Sequence, residues 1–381
     1  MKTYSTDKIR NVALIGHSSC GKTTLTEALL YITNVTNRMG KVEDGNTISD
    51  FDKEEKDRQV SIGTSLIPVE YDNTKINFLD TPGYFDFLGE VFGALRVASG
   101  AVIVVDASSG VEVGTEKAWK YAEQRNLPRV IFLNKMDKEN VKFDDVLESL
   151  RNQFGNKVVP FAVPIGDADA LSGYVDIVKM QAYKDVERQR VPIDMPANIK
   201  AKAEELRAVL MESVAETDED MLDKFFNGEE FTDAEIHTGL RRAVLVGELV
   251  PVVIGTATNV LGLKLLMDMI VEYLPSAEDL KEVKGMNDSK EETRKIDPKE
   301  PMSALVFKTI VDPFVGKITL FKVLSGTLKK DMDIYNANNR ETERIGSIFF
   351  IRGKDQVEAS EISAGDIGAT SKLQHFKTGD T

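Results

Sequence analysis

Four short groups of residues in this sequence are spaced for chemistry on a nucleotide. Gly16-His17-Ser18-Ser19-Cys20-Gly21-Lys22-Thr23 has the form G-x-x-x-x-G-K-T. Its glycines let backbone N–H groups turn inward on an anion, and the start of a helix adds partial positive charge. In such a loop His17, Ser18, Ser19, Cys20, Gly21 and the following Thr24 wrap phosphate. Lys22 reaches the outer phosphates and the Thr23 hydroxyl ligates magnesium. Asp80-Thr81-Pro82-Gly83 offers an acid suited to the magnesium side and a Gly83 N–H suited to a terminal phosphate. Asn134-Lys135-Met136-Asp137 chooses the base. A carboxylate at Asp137 can accept two N–H bonds from guanine and finds no such pair on adenine, while the Lys135 stem can cover the base face. Asn134 and Asp137 therefore argue against an ATP-using protein. Gly255-Thr256-Ala257, a loop of small residues, can bring a backbone N–H to the guanine O6. Three residues carry little weight alone.

These groups need elements that hold them together. Residues 11–15 read as a buried strand before the glycine loop, and residues 24–30 carry leucines at helical spacing behind it. Residues 75–79, 101–106, 129–133 and 250–254 are apolar runs, each ending at or near one of the groups or at an acid. Residues 65–71 read as a strand joined to 75–79 by a turn. Helices are expected from 87 to about 98 and from about 115 to 125, and an apolar-striped helix over 260–274 closes the unit. Continuous apolar strands alternating with helices predict a mostly parallel sheet covered on both faces. Ligands then sit at the carboxyl ends of the strands. Residues 34–58 are polar and weakly periodic, and a long irregular stretch inside a compact unit reads as a switch segment.

Beyond residue 140 the pattern changes. A strand is expected over 158–164, a mixed segment around 173–178, and acidic helices over 197–226 and 232–246. The domain organisation follows: a nucleotide domain over 1–280 with an α+β insertion at about 157–248, a charged linker over 281–300, and an all-β barrel over 301–381. The insertion reads either as solvated helices with no partner or as a docking surface. Short strands separated by turn residues suggest the barrel.

The 381 residues carry a net charge of −14, which argues against bulk attraction to DNA or an anionic membrane. One cysteine, Cys20, excludes an internal disulfide and suits a reducing cytoplasm. It reads as a small filler in a free loop position rather than a redox sensor. Its three histidines, His17, His237 and His375, are far apart in sequence. No apolar run is long enough to span a membrane, and the first residues have no signal-peptide core.

Taken in order, these motifs make the chain resemble the translational GTPases, most closely the first two domains of bacterial elongation factor G and its diverged elongation factor G-like paralogues. The insertion carries much of the likeness, in Gly173-Tyr174-Val175-Asp176-Ile177-Val178, and so does the later stretch Asp268-Met269-Ile270-Val271-Glu272-Tyr273-Leu274-Pro275. The resemblance implies binding of GTP and GDP with Mg2+, hydrolysis of GTP to GDP and phosphate, and the ribosome, through its rRNA and stalk protein, as partner. It implies a cytoplasmic monomer with a role in translation elongation. Metal ligands would be Thr23, Ser61 and Asp80, and the catalytic group Lys22, Gly83 and residue 84. Three departures stand out. Ser19 replaces an Asp that the family uses to hold a monovalent cation. Arg58-Gln59-Val60-Ser61-Ile62 replaces R-G-I-T-I and keeps a hydroxyl at Ser61. Tyr84 replaces the catalytic His of D-T-P-G-H. The family also continues through further domains, so this sequence is expected to be the front of a longer chain. Two functions remain: a ribosome-stimulated GTPase, and a GTP-sensing ribosome-binding module that hydrolyses slowly or not at all.

Overall fold

The computed structural model describes residues 1–287, 290–312 and 315–381. The chain begins with β1 (Ile9–Gly16), α1 (Lys22–Ile32) and a short α2 (Lys53–Arg58). Next come β2 (Ser65–Tyr71), β3 (Thr74–Asp80), α3 (Leu88–Val97), β4 (Gly100–Asp106), α4 (Val113–Gln124), β5 (Arg129–Asn134) and α5 (Phe143–Phe154). After β6 (Val158–Pro160) the chain leaves the main sheet through β7 (Ala162–Ile165), β8 (Gly173–Asp176), β9 (Gln181–Val186) and β10 (Gln189–Ile193). Helices α6 (Ala197–Ala215), α7 (Glu219–Phe226) and α8 (Asp233–Val246) complete the insertion before β11 (Val250–Ile254) and α9 (Leu263–Tyr273) return to the nucleotide domain.

The main sheet has the order β2-β3-β1-β4-β5-β11-β6, and only the β2–β3 pairing is antiparallel. β1, β3, β4, β5 and β11 are buried almost throughout, as expected of parallel strands with helices on both faces. Their carboxyl ends deliver Gly16, Asp80, Asp106, Asn134 and Gly255 to one edge of the sheet. That edge is where the site must lie.

Three local readings change. The apolar run expected as one strand over 158–164 is two. β6 stays in the main sheet beside β11, and β7 starts a separate antiparallel sheet of order β10-β9-β8-β7. The switch comes at Phe161, whose N–H still bonds Val252 O. The insertion thus departs a few residues later than 157. Helix α5 and the β9–β10 hairpin lie where no element was expected, outside the mixed segment around 173–178, although α5 buries Phe143, Val146, Leu147 and Leu150 at helical spacing. The stretch expected as a charged linker folds partly into an antiparallel hairpin, β12 (Glu282–Asn287) with β13 (Lys290–Lys295). The strand β13 is exposed along its length, so hydrophobic patterning could not announce it. Asp288 and Ser289 of that stretch lie outside the described residues.

Beyond it lie antiparallel strands: β14 (Ser303–Asp312), β15 (Gly316–Ser325), β16 (Thr327–Lys329), β17 (Asp333–Asn336), β18 (Glu341–Arg344), β19 (Ile348–Arg352), β20 (Asp355–Ala359), β21 (Glu361–Ser363) and β22 (Ile367–Ser371). The expected all-β second domain is there, built on a sheet of order β14-β15-β22-β19-β20. Polar contacts seat it on the nucleotide domain. Lys75 of β3 pairs with Asp366 at 2.7 Å, both side chains almost wholly buried. Lys308 of β14 donates to Glu90 of α3 at 2.5 Å and to Thr64 O at 2.9 Å. Lys322, whose burial pulls its pKa down to about 8, donates to Val97 O at the end of α3.

Candidate guanine-nucleotide site

The loop between β1 and α1 closes tightly against its neighbours. Gly21, at φ +97° in front of α1, lies so near Asn134 that a Cβ there would sit 2.3 Å from Asn134 Nδ2. Both the backbone conformation and the space require glycine. At Gly83 a Cβ would meet Ser18 Cα at 2.6 Å and Lys22 Nζ at 2.7 Å. That approach presses the Asp80–Gly83 turn onto the loop. Lys22 Nζ donates to the loop's own carbonyls, His17 O at 2.7 Å and Gly16 O at 3.2 Å. The His17 side chain points away from the cradle: its Nδ1 accepts from Gly114 N and its Nε2 lies 3.4 Å from Glu112. Only its backbone serves the loop. Cys20 is fully buried and burial pushes its thiol pKa up, although Lys22 beside it pulls the other way. A neutral buried thiol agrees with the reading of Cys20 as a filler.

At the same end, the Thr23 and Ser61 hydroxyls lie 3.0 Å apart. Asp80 is 1% exposed, and neither of its carboxylate oxygens has a hydrogen-bond partner of good geometry. Burial pushes its pKa up to about 6; the Lys22 charge and the nearby Ser49, Thr23 and Thr26 hydroxyls oppose that shift. Asp50, also buried, is pushed up to about 7 by burial and by the charge of Asp80, with the Ser61 hydroxyl opposing. A buried acid without a hydrogen-bond partner, beside a second buried acid and two hydroxyls, fits a hard divalent cation. Among the described residues no group of three or more His, Cys, Asp or Glu could hold a metal by itself. Magnesium is the cation that makes do with one or two protein carboxylates and takes further oxygens from phosphates and water.

Sequence reasoning missed Asp50. It lies in residues 34–62, folded over the site by Glu27 of α1, which accepts from Gly40 N at 2.9 Å and Ile48 N at 2.7 Å. Helix α2 adds order through a capping box between Asp52 and Glu55. Nothing in spacing alone distinguishes Asp50 from Asp44, Asp52 or Asp57.

At the other end the side chains hold one another. Asn134 donates to Cys20 O at 3.0 Å and accepts from Ala257 N at 3.0 Å, tying the glycine loop to the small-residue loop. The N–H brought by Gly255-Thr256-Ala257 is thus that of Ala257, and Asn134 engages it. Thr256 pairs with Leu261 across the same loop. Lys135 donates to Ser19 O at 2.8 Å and to Asp106 at 2.6 Å. Burial works against the Asp106 charge, yet the Lys135 and Ser108 hydrogen bonds hold its pKa below the usual carboxylate range. Asp137 accepts from Asn259 at 2.9 Å. Asp106 and Asn259 were not singled out in the sequence; an acid closing an apolar strand was the available signal for Asp106.

One cavity of about 460 Å³ joins the two ends, from Lys22, Thr23, Asp50 and Ser61 to Asn134, Lys135 and Asp137. Ser18, Ser19, Gly21, Thr24 and Gly83 line it too. Tyr84, 44% exposed, stands at its edge just before the helical turn into α3.

Residues 7–276 match the family model described as the elongation factor Tu GTP binding domain. Residues 301–381 match the model for elongation factor G domain 2. The chain also superimposes on the crystal structure of a Thermus thermophilus protein with a TM-score of 0.88 at 32% identity. That match covers 98% of this chain and 54% of the other, so the chain spans about half the length of that relative.

Proposed function

The chain belongs to the translational GTPases of the elongation factor G type, and from that premise we propose that it binds GTP and GDP with magnesium and hydrolyses GTP to GDP and phosphate, slowly alone and faster on the ribosome, in translation elongation. The observation that carries this reading is the single cavity with phosphate and metal groups at one end and Asn134 with Asp137 at the other. Bound magnesium would neutralise phosphate charge, which is most of what phosphoryl transfer asks of a protein. Thr23, Ser61 and Asp80 would hold it, with Asp50 close behind. The backbone of residues 17–24 would wrap the phosphates. Lys22 would exchange its carbonyl partners for outer phosphate oxygens. Gly83 would present its N–H to the terminal phosphate, and Asp137 would pair with the guanine edge. The inserted subdomain has no nucleotide motif and serves as the docking surface for the ribosomal stalk protein. On this reading the protein works as a cytoplasmic monomer. No helix among the described residues is long and apolar enough to cross a membrane.

A second reading has its own observation. Tyr84 stands half-exposed where the family carries its catalytic His. A phenol has one hydroxyl and no ring nitrogen. It can position water but cannot take the part of an imidazole that gains a proton. On this reading the protein is a GTP-sensing module that docks on the ribosome and is impaired in hydrolysis. Single-turnover hydrolysis by the wild type and Tyr84→His separates the two. Without ribosomes both turn over at the same very slow rate. With saturating ribosomes the histidine variant is faster, by on the order of the 10²–10⁴-fold of a positioned acid–base group. Equal rates on the ribosome would mean that Tyr84 positions water as well as His, and the plain enzyme reading would stand.

A further inference from the structure

The β9–β10 hairpin of the inserted subdomain reaches back to the nucleotide site. It is fixed at two places just short of its turn, where Asp185 of β9 faces Arg190 of β10. Asp185 accepts from Gly262 N at 2.8 Å, where the small-residue loop ends and α9 begins. Arg190 pairs with Asp268 of α9 at 2.6 Å, and Asp268 also accepts from Tyr71 at the end of β2. At the tip, Glu187 takes a left-handed turn at φ +55° and presents Arg188. The Arg188 guanidinium lies over the Tyr31 ring of α1, 3.8 Å from its centroid. In its plane it donates to Asn34 Oδ1 at 2.5 Å, Asn37 O at 3.2 Å and Thr36 O at 3.3 Å.

Those partners are where the chain leaves α1 for the switch segment. Asn34 is left-handed, at φ +58°, and the N–H groups of Val35 and Thr36 still reach back to Leu30 O. We propose that Arg188 is a positioning residue for the switch segment: from a hairpin anchored on the base side of the site, it fixes the segment's entry at residues 34–37 and so couples the inserted subdomain to the nucleotide site. A guanidinium suits the task because it stacks through its face and donates through its edge at once; a lysine ammonium cannot do both in fixed geometry. The insertion is then more than a docking surface, since a partner that shifts the hairpin shifts the point about which residues 34–62 move.

The proposal rests on residues 34–62 being a nucleotide-dependent switch, and hydrogen exchange on the whole 381-residue chain tests the two claims separately. Wild type, Arg188→Ala and Arg188→Lys are each measured with GDP and with a non-hydrolysable GTP analogue. Arg188→Ala should speed exchange at residues 34–40 by roughly five- to tenfold in both nucleotide states, the loss of a few partly exposed charge-assisted hydrogen bonds. Exchange at residues 16–24 and in β8 and β9, and the melting temperature, should stay as in the wild type. Arg188→Lys should restore only part of the protection. Wild-type exchange at 34–40 in Arg188→Ala overturns the proposal. So does full protection in the lysine variant, or faster exchange spread over the whole insertion, which would mean a merely structural role. If wild-type exchange over residues 45–62 is the same with either nucleotide, the switch reading itself has failed.

Discussion

The two ends of the cavity are built differently. At the base end the polar side chains already have partners: Asn134 bridges Cys20 O and Ala257 N, Lys135 bridges Ser19 O and Asp106, and Asp137 is met by Asn259. At the phosphate end Asp80 is buried without a partner, Asp50 stands beside it with its pKa raised, and Lys22 is bonded to its own loop's carbonyls. One end is assembled in advance; the other is left short of charge compensation. On the proposed reading, the folded protein fixes base identity. On the same reading, phosphate and metal binding is completed only when those groups arrive, and the phosphate end is where a ligand would alter stability and residues 34–62.

The largest effect that could break this contrast is at the base end. Asp137→Asn should weaken GTP binding at least about a hundredfold and turn preference toward xanthine nucleotide, as judged by equilibrium titration with both. Two charge-assisted hydrogen bonds of roughly 1.5–3 kcal/mol each are lost to guanine, and an amide can instead donate to the xanthine oxygen. Because the base end is preassembled, the variant should melt with the wild type. A variant that loses both nucleotides together with its fold would show that Asp137 supports structure and not selection.

A smaller effect concerns the switch segment. Ser61 can serve a metal that also bridges a terminal phosphate only while residues 34–62 are folded over the site. Exchange there should slow by on the order of tenfold with a non-hydrolysable GTP analogue relative to GDP, while residues 134–137 and 255–257 hardly change. Slowing at both ends alike would erase the contrast.

The smallest effect is on stability against pH. Folded-state pKa values of about 6 for Asp80 and 7 for Asp50 lie above the 3.8 of an ordinary aspartate. Across roughly pH 4–7 the folded chain then binds more protons than the unfolded one, so these residues make the nucleotide-free chain less stable as pH rises through that window. The penalty is absent below about pH 4 and complete above about pH 7. Asp80→Asn, neutral throughout, should melt about 1–3 °C higher than wild type at about pH 7.5 and with it below about pH 4. With Mg2+ and GDP the wild-type slope should flatten. A parallel offset at all pH values would mean that the substitution acts through packing and not through charge.

How much of this was legible in the sequence depended on range. Gly16 to Thr23, Asp80 to Gly83 and Asn134 to Asp137 are contiguous, and each sits at the end of an apolar strand, so local pattern and parallel topology together place them at one edge of the sheet. Asp50 was hidden because its place depends on Glu27 gripping Gly40 and Ile48 from another element, a long-range contact without periodicity. The break at Phe161 was hidden for a different reason: an apolar run reads the same whether it serves one sheet or two. β13, exposed throughout, and Arg188, one arginine at a hairpin tip, are visible only once the chain is folded.

The central claim is that the folded protein has chosen guanine before any phosphate is bound. Displacement of a fluorescent GDP by unlabelled nucleotides, in the presence of magnesium, tests it most directly. GTP should displace the label at equal concentration, and ATP should leave it in place even in large excess, because adenine offers Asp137 no pair of N–H donors. Displacement by ATP at the same concentration as GTP would contradict the claim.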